Sequence, residues 1–250
     1  EEGGAQDGGQ AVADPVAEPA AEATVTIDDI FQELEQKWGQ CSGLYMHGSV
    51  IFGNKANPAD IDLLAIVDEP KVELQAASKA SQFTLGPYEV SVFSRDFWLR
   101  KLGEMDLTML TCLWLPAKFV IRPLEDELMN ESVVNLAKLR ESITSYAEYT
   151  WLKARRVLQR WEDPYKSSKN VFFALRVLEL GVQITEHGRI VDLSAANHFW
   201  DYVHETYEAL GIGITDWDVV EAVFGNDFRV EMNRYLAAMS AAEGGPDGVP

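Results

Sequence analysis

The sequence predicts an α+β fold, a small mixed-sheet domain followed by an all-helical domain. Three observations carry this reading. Short apolar runs bounded by turn residues are confined to the first half of the 250 residues. From about residue 126 onward, apolar residues recur at helical spacing only. Strands segregated from helices along a chain mark α+β architecture rather than alternating α/β units. The chain then divides into an acidic tail (1–26), a mixed-sheet domain (27–125), a helical domain (126–240) and a loose end (241–250).

Residues 1–26 carry six acidic residues, no basic one, and many Ala, Gly and Pro. Such a segment buries too little apolar surface to offset its ordering entropy, so a disordered tail is expected. Ile27, Ile30, Phe31, Leu34 and Trp38 recur at helical spacing and predict a helix over 27–38. Leu44 to His47 reads as a short strand ending at Gly48-Ser49, and Ala59 to Val67 as a second. Tyr88 to Phe93 reads as a third, with Gly86-Pro87 as its turn. Helices are predicted over 97–102 and 107–113, and one more short strand over 119–121. The helical half is predicted as 133–161, 168–186, 194–209 and 217–238. The end around Gly244-Gly245-Pro246 reads as loose.

Composition narrows the function. Hydrophobic residues make up 47% of the chain, enough for a core, and the net charge is −19. So acidic a surface repels phosphate backbones, which disfavours broad, non-specific binding of long nucleic acid and leaves only local RNA contacts. No apolar run approaches the roughly 18 residues that span a bilayer, so no membrane partner is expected. Cys41 and Cys112, the only two cysteines, make neither a disulfide framework nor a zinc site and read as buried thiols. The expected setting is intracellular and reducing, cytoplasmic or mitochondrial; a first residue of Glu rather than Met keeps the second alternative open.

The chemistry-bearing stretch is Gly48-Ser49-Val50-Ile51-Phe52-Gly53 followed by Ala59-Asp60-Ile61-Asp62-Leu63, with ten residues between Ser49 and Asp60. In a strand, residues two apart share a face, so Asp60 and Asp62 do, about 7 Å apart at the strand rise. Carboxylates so placed can converge on a Mg²⁺ pair, and Mg²⁺ favours a few carboxylates plus phosphate oxygens. A Gly turn permits close backbone approach, and its N–H groups favour an anion. Ser49 adds a hydroxyl donor. Glu89 lies in the third predicted strand and Asp96 just beyond it.

This arrangement resembles the signature of the DNA polymerase β-like nucleotidyltransferases. Further stretches, Glu89 to Pro116 and Lys169 to Arg176 followed by Glu186-His187-Gly188-Arg189-Ile190, resemble a broad group of predicted nucleotidyltransferases of bacteria and phages. The resemblance spans roughly residues 43–192. It implies a nucleotidyltransferase palm and Mg²⁺- or Mn²⁺-dependent transfer of a nucleoside monophosphate from an NTP to an acceptor hydroxyl, with release of pyrophosphate. It implies Asp60, Asp62 and, on the neighbouring strand, Glu89 as metal-holding catalytic residues, with Asp96 as a weaker substitute for Glu89, and Gly48, Ser49, Lys169 and Arg176 as the triphosphate site. The acceptor, whether RNA, protein or small molecule, stays open.

Residues 151–176 hold seven basic and two acidic residues, a third of all Lys and Arg in an acidic chain. Lys166, Lys169 and Arg176 fall on one helical face and read as a cationic wall for the triphosphate. Lys153, Arg155, Arg156 and Arg160 read as a solvated face, or as a docking surface for RNA or an acidic partner. A rival reading follows: a structural or assembly subunit of a larger complex, such as a ribonucleoprotein particle, docked through the basic helix 151–169. His47 reads as a packing residue at the strand end. Trp98, Trp151 and Trp161 could each stack on a base, and the sequence selects none of them.

Overall fold

The computed structural model describes residues 25–53, 61–70, 81–125, 134–211 and 215–244. The expectations for residues 1–24 and for Asp60 lie outside the described residues. Helix α1 (Ile27–Lys37) starts where Thr26 and Asp29 cap each other reciprocally, each accepting from the other's backbone N–H. That satisfies two of the donors that a helix start leaves open. Strand β1 (Gln40–Met46) follows, then a 3₁₀ turn over Gly48–Phe52, then β2 (Ile61–Asp68). Strands β3 (Ser81–Leu85) and β4 (Tyr88–Ser94) form a hairpin. Gly86, with φ +55°, opens its two-residue turn, as a type II′ geometry requires. Helices α2 (Arg95–Gly103) and α3 (Leu107–Leu113) lead to β5 (Val120–Arg122).

The sheet order is β3-β4-β2-β1-β5, with β2 and β4 parallel and the other pairs antiparallel. This is the mixed sheet expected, with one strand more than the sequence suggested. Among the described residues four α-helices follow: α4 (Leu136–Trp161), α5 (Pro164–His187), α6 (His198–Ala209) and α7 (Trp217–Glu243). The fold class is therefore α+β, and none of the helices described is long and apolar enough to cross a membrane.

Alternation along the strands sorts their side chains onto two faces. Leu63, Ala65, Val67, Val90 and Val92 pack with Ile30 and Leu34 of α1. Leu64 and Ile66 face the other way and join a core with Trp98, Ile143, Val177, Leu178 and Tyr235. The sheet and the helical half thus share one apolar core. Helix α5 runs through its centre, with 16 of its 24 residues buried. Cys41 and Cys112 are buried thiols, and desolvation raises both above the usual thiol range, Cys41 to about 11.

Candidate active site

The site begins where β1 ends. Gly48 has φ +70°, a conformation in which a side chain is strained, and a Cβ there would lie 1.8 Å from Asp62 Oδ2. The bare Cα lets the Asp62 carboxylate sit against the turn. The backbone ties the same two segments together, His47 N–H donating to Asp62 O at 2.8 Å. The chain then winds as a 3₁₀ turn and stops at Gly53, φ +75°.

Asp62 pairs with Glu89 across the parallel β2–β4 ladder. Neighbouring strands lie about 4.8 Å apart, and side chains of laterally paired residues project from the same face. That face is the one carrying Leu64, Ile66 and Phe93 toward the helices. Asp62 is half-buried and Glu89 exposed. Asp96 opens α2 beyond the far end of β4, so it does not share this location. No cluster of three metal-ligating side chains occurs among the described residues, which exclude Asp60.

On the other side of Gly48 opens a cavity of about 730 Å³, which neither Asp62 nor Glu89 lines. His47, Gly48 and Phe52 form its sheet side, Thr108 and Thr111 of α3 one flank, and α4 and α5 the remainder. Lys166, Lys169, Phe173, Arg176 and Leu180 of α5 line it at alternating spacings of three and four, one stripe of the helix. The structure therefore brings Gly48, Lys169 and Arg176 together, with Asp62 against Gly48 and Glu89 next to Asp62. Ser49 is half-buried on the 3₁₀ turn and is not part of the lining.

Arg176 differs in kind from the two lysines. It is 2% exposed, with its guanidinium 4.0 Å from the centre of the Phe52 ring and 4.1 Å from that of Phe172. Burial lowers its pKa to about 9, still charged at neutral pH. Its Nη2 donates to Asn197 Oδ1 at 3.1 Å, while Asn197 Nδ2 donates to Phe52 O at 2.7 Å. One amide thus locks the buried cation to the end of the Gly-Ser turn. Asn197 is held in turn by a loop fastened to Gln183, whose Oε1 accepts from Val191 N–H and Asp192 N–H. Sequence reading missed both residues. Asn197 fell inside a helix predicted from Ser194, whereas α6 begins at His198 and the Asn side chain is diverted from capping.

The tryptophans separate by burial. Trp98 is fully buried and stacks on Tyr45, and Trp151 packs against Trp217 and Phe228. Trp161 is 69% exposed and lines the cavity.

His47 lines the same cavity, and desolvation lowers its pKa, an effect partly opposed by Asp106. Unfolded, the ring titrates near 6.5; folded, it does so lower. Between those values the unfolded chain binds more protons, so the folded state loses stability as pH falls through and below 6.5. A denaturation midpoint compared at pH 7.5 and pH 5.5 is expected to fall less in His47→Gln than in wild type. Equal falls would mean that His47 is not the titrating group.

Comparison with known proteins adds little. No family model matches the chain, and no curated protein matches it. Among solved structures, a nucleotidyltransferase-like protein from Exiguobacterium sibiricum 255-15 aligns over 86% of this chain and 73% of that one, at 12% identity and a TM-score of 0.29. That likeness is too loose to bear on the site.

Proposed function

We propose that this chain is a nucleotidyltransferase that moves a nucleoside monophosphate from an NTP to an acceptor hydroxyl and releases pyrophosphate. The observation that carries the reading is the side-by-side register of Asp62 and Glu89, with Gly48 pressed against Asp62 at the edge of a cavity walled by Lys169 and Arg176. Two carboxylates on one sheet face are hard oxygen donors, which fit Mg²⁺ or Mn²⁺, and Asp60 would complete the set. The ion, when bound, supplies charge neutralisation at the phosphate oxygens. Lys169 and Arg176 would hold the β- and γ-phosphates, Lys169 as a mobile point charge and Arg176 as a fixed one. Glu89, the more exposed carboxylate, would take the proton of the acceptor hydroxyl as its oxygen bonds to the α-phosphorus and the bond to pyrophosphate breaks.

The test is NTP binding by titration calorimetry with Mg²⁺ present. Lys169→Ala is expected to weaken binding by about 1.5–3 kcal/mol, the range for losing a hydrogen bond to a charged group. Arg156→Ala should leave it unchanged. Absence of NTP binding by the wild-type protein would favour the rival reading, a structural or assembly subunit. The burial of Arg176 among three rings is the observation on that side.

A further inference from the structure

Exposed apolar groups on this molecule are not scattered. Among the described residues, five of the eight large exposed hydrophobic side chains, Tyr146, Tyr149, Leu152, Trp161 and Tyr165, lie within one stretch running from the middle of α4 to the start of α5. The same stretch carries the exposed cations Lys153, Arg155, Arg156 and Arg160. Among the described residues none of these four has a carboxylate partner within ion-pair distance, although the chain as a whole carries −19. Arg156 lies over the Tyr149 ring, 5.5 Å from its centre. A second groove, of about 550 Å³, runs along this face between Tyr149, Leu152, Arg156 and Arg160. Tyr149 lines both this groove and the candidate active-site cavity, so the two lie on either side of that ring.

The groove sets one exposed ring, Tyr149, beside Arg155, Arg156 and Arg160, which among the described residues lack a carboxylate partner. A ring to stack a base and cations to pair with phosphates make a surface for single-stranded nucleic acid. A run of carboxylates would use the cations but offers no planar face to Tyr149, whereas every base has one. The strip from Tyr149 to Arg160 spans about 16 Å at the helical rise, room for about five stacked nucleotides at ~3.4 Å each. The negative charge elsewhere confines a strand to this strip.

We infer that this face of α4 holds the single-stranded end of a nucleic-acid acceptor, with Tyr149 dividing it from the NTP cavity. The strand's role as acceptor rests on the transfer activity proposed above; its binding does not. The strand's terminal hydroxyl would reach the cavity past Tyr149, and its phosphates would lie on Arg155, Arg156 and Arg160.

The test uses the full chain and a fluorescent single-stranded RNA of about eight nucleotides, titrated by anisotropy at several salt concentrations from roughly 50 mM upward. ATP binding is measured in parallel. Wild type is expected to bind the RNA. Arg156→Ala and Arg160→Ala should each lower the slope of log affinity against log salt by about 0.7. Tyr149→Ala should weaken binding by roughly fivefold or more, the loss of one stacked base, with the slope unchanged. Lys169→Ala should leave RNA binding as it was. Failure of wild type to bind RNA while it binds ATP overturns the inference and spares the enzyme reading. RNA binding without ATP binding supports the RNA surface and overturns the enzyme reading. Displacement of the RNA by an oligoglutamate of equal length and at equal affinity overturns the inference in favour of an acidic protein partner.

Discussion

Asp62→Asn is expected to abolish metal-dependent NTP turnover while leaving the fold intact. Asn preserves the volume beside Gly48 but removes the charge that a divalent ion requires. The loss should be at least a hundredfold, about 3 kcal/mol of transition-state stabilisation. Stability should be unchanged or slightly raised, because without metal Asp62 and Glu89 are like charges on adjacent strands. Pyrophosphate release and a thermal melt on one preparation check both halves. Turnover within tenfold of wild type would remove Asp62 from the chemistry.

Gly48→Ala should fail in both respects at once. At φ +70° a non-glycine residue costs roughly 1–2 kcal/mol. In addition, the new methyl would lie 1.8 Å from Asp62 Oδ2 and force the carboxylate away. A melting temperature lower by about 2–8 °C is expected from that strain in a chain of this size, together with loss of turnover. Gly188→Ala is the matched comparison. Its φ is +68°, yet nothing lies within 4 Å of the added carbon. It should lower the melting temperature by the backbone strain alone and keep its activity. Equal activity losses in the two variants would show that backbone strain, not contact with Asp62, explains the effect.

What was legible in the sequence was local. The Gly-Ser turn and the strand bearing Asp62 follow from turn chemistry and period-two alternation, whereas Glu89 was singled out through the family resemblance and its register beside Asp62 comes from the parallel pairing of β2 and β4. Helix existence was legible too, since apolar spacing alone decides it. Strand β3 was missed because it is a short polar edge, Ser81-Gln82-Phe83-Thr84-Leu85, with only Phe83 and Leu85 apolar. Its partner β4 supplies the hydrogen bonds that make it a strand. Spacing placed Arg176 on the face of Lys166 and Lys169 but not at its depth, which comes from rings brought in by distant segments. Asn197 reaches Phe52 across 145 residues of sequence, a contact that leaves no local mark. Trp98, Trp151 and Trp161 look alike in sequence; only the packed structure distinguishes them.

Helix α5 is at once the wall of the cavity and the spine of the core, and this constrains how the protein can diversify. A substitution at Phe172, Leu175 or Leu178, all fully buried, disturbs packing on every side and is removed by its stability cost before any new ligand preference can be selected. The exposed outer positions of α4 carry no such penalty. Descendants of this sequence are therefore free to vary what approaches the cavity along α4 while the cation positions on α5 stay fixed. New specificities would arise at the rim, around a cavity interior that drifts slowly.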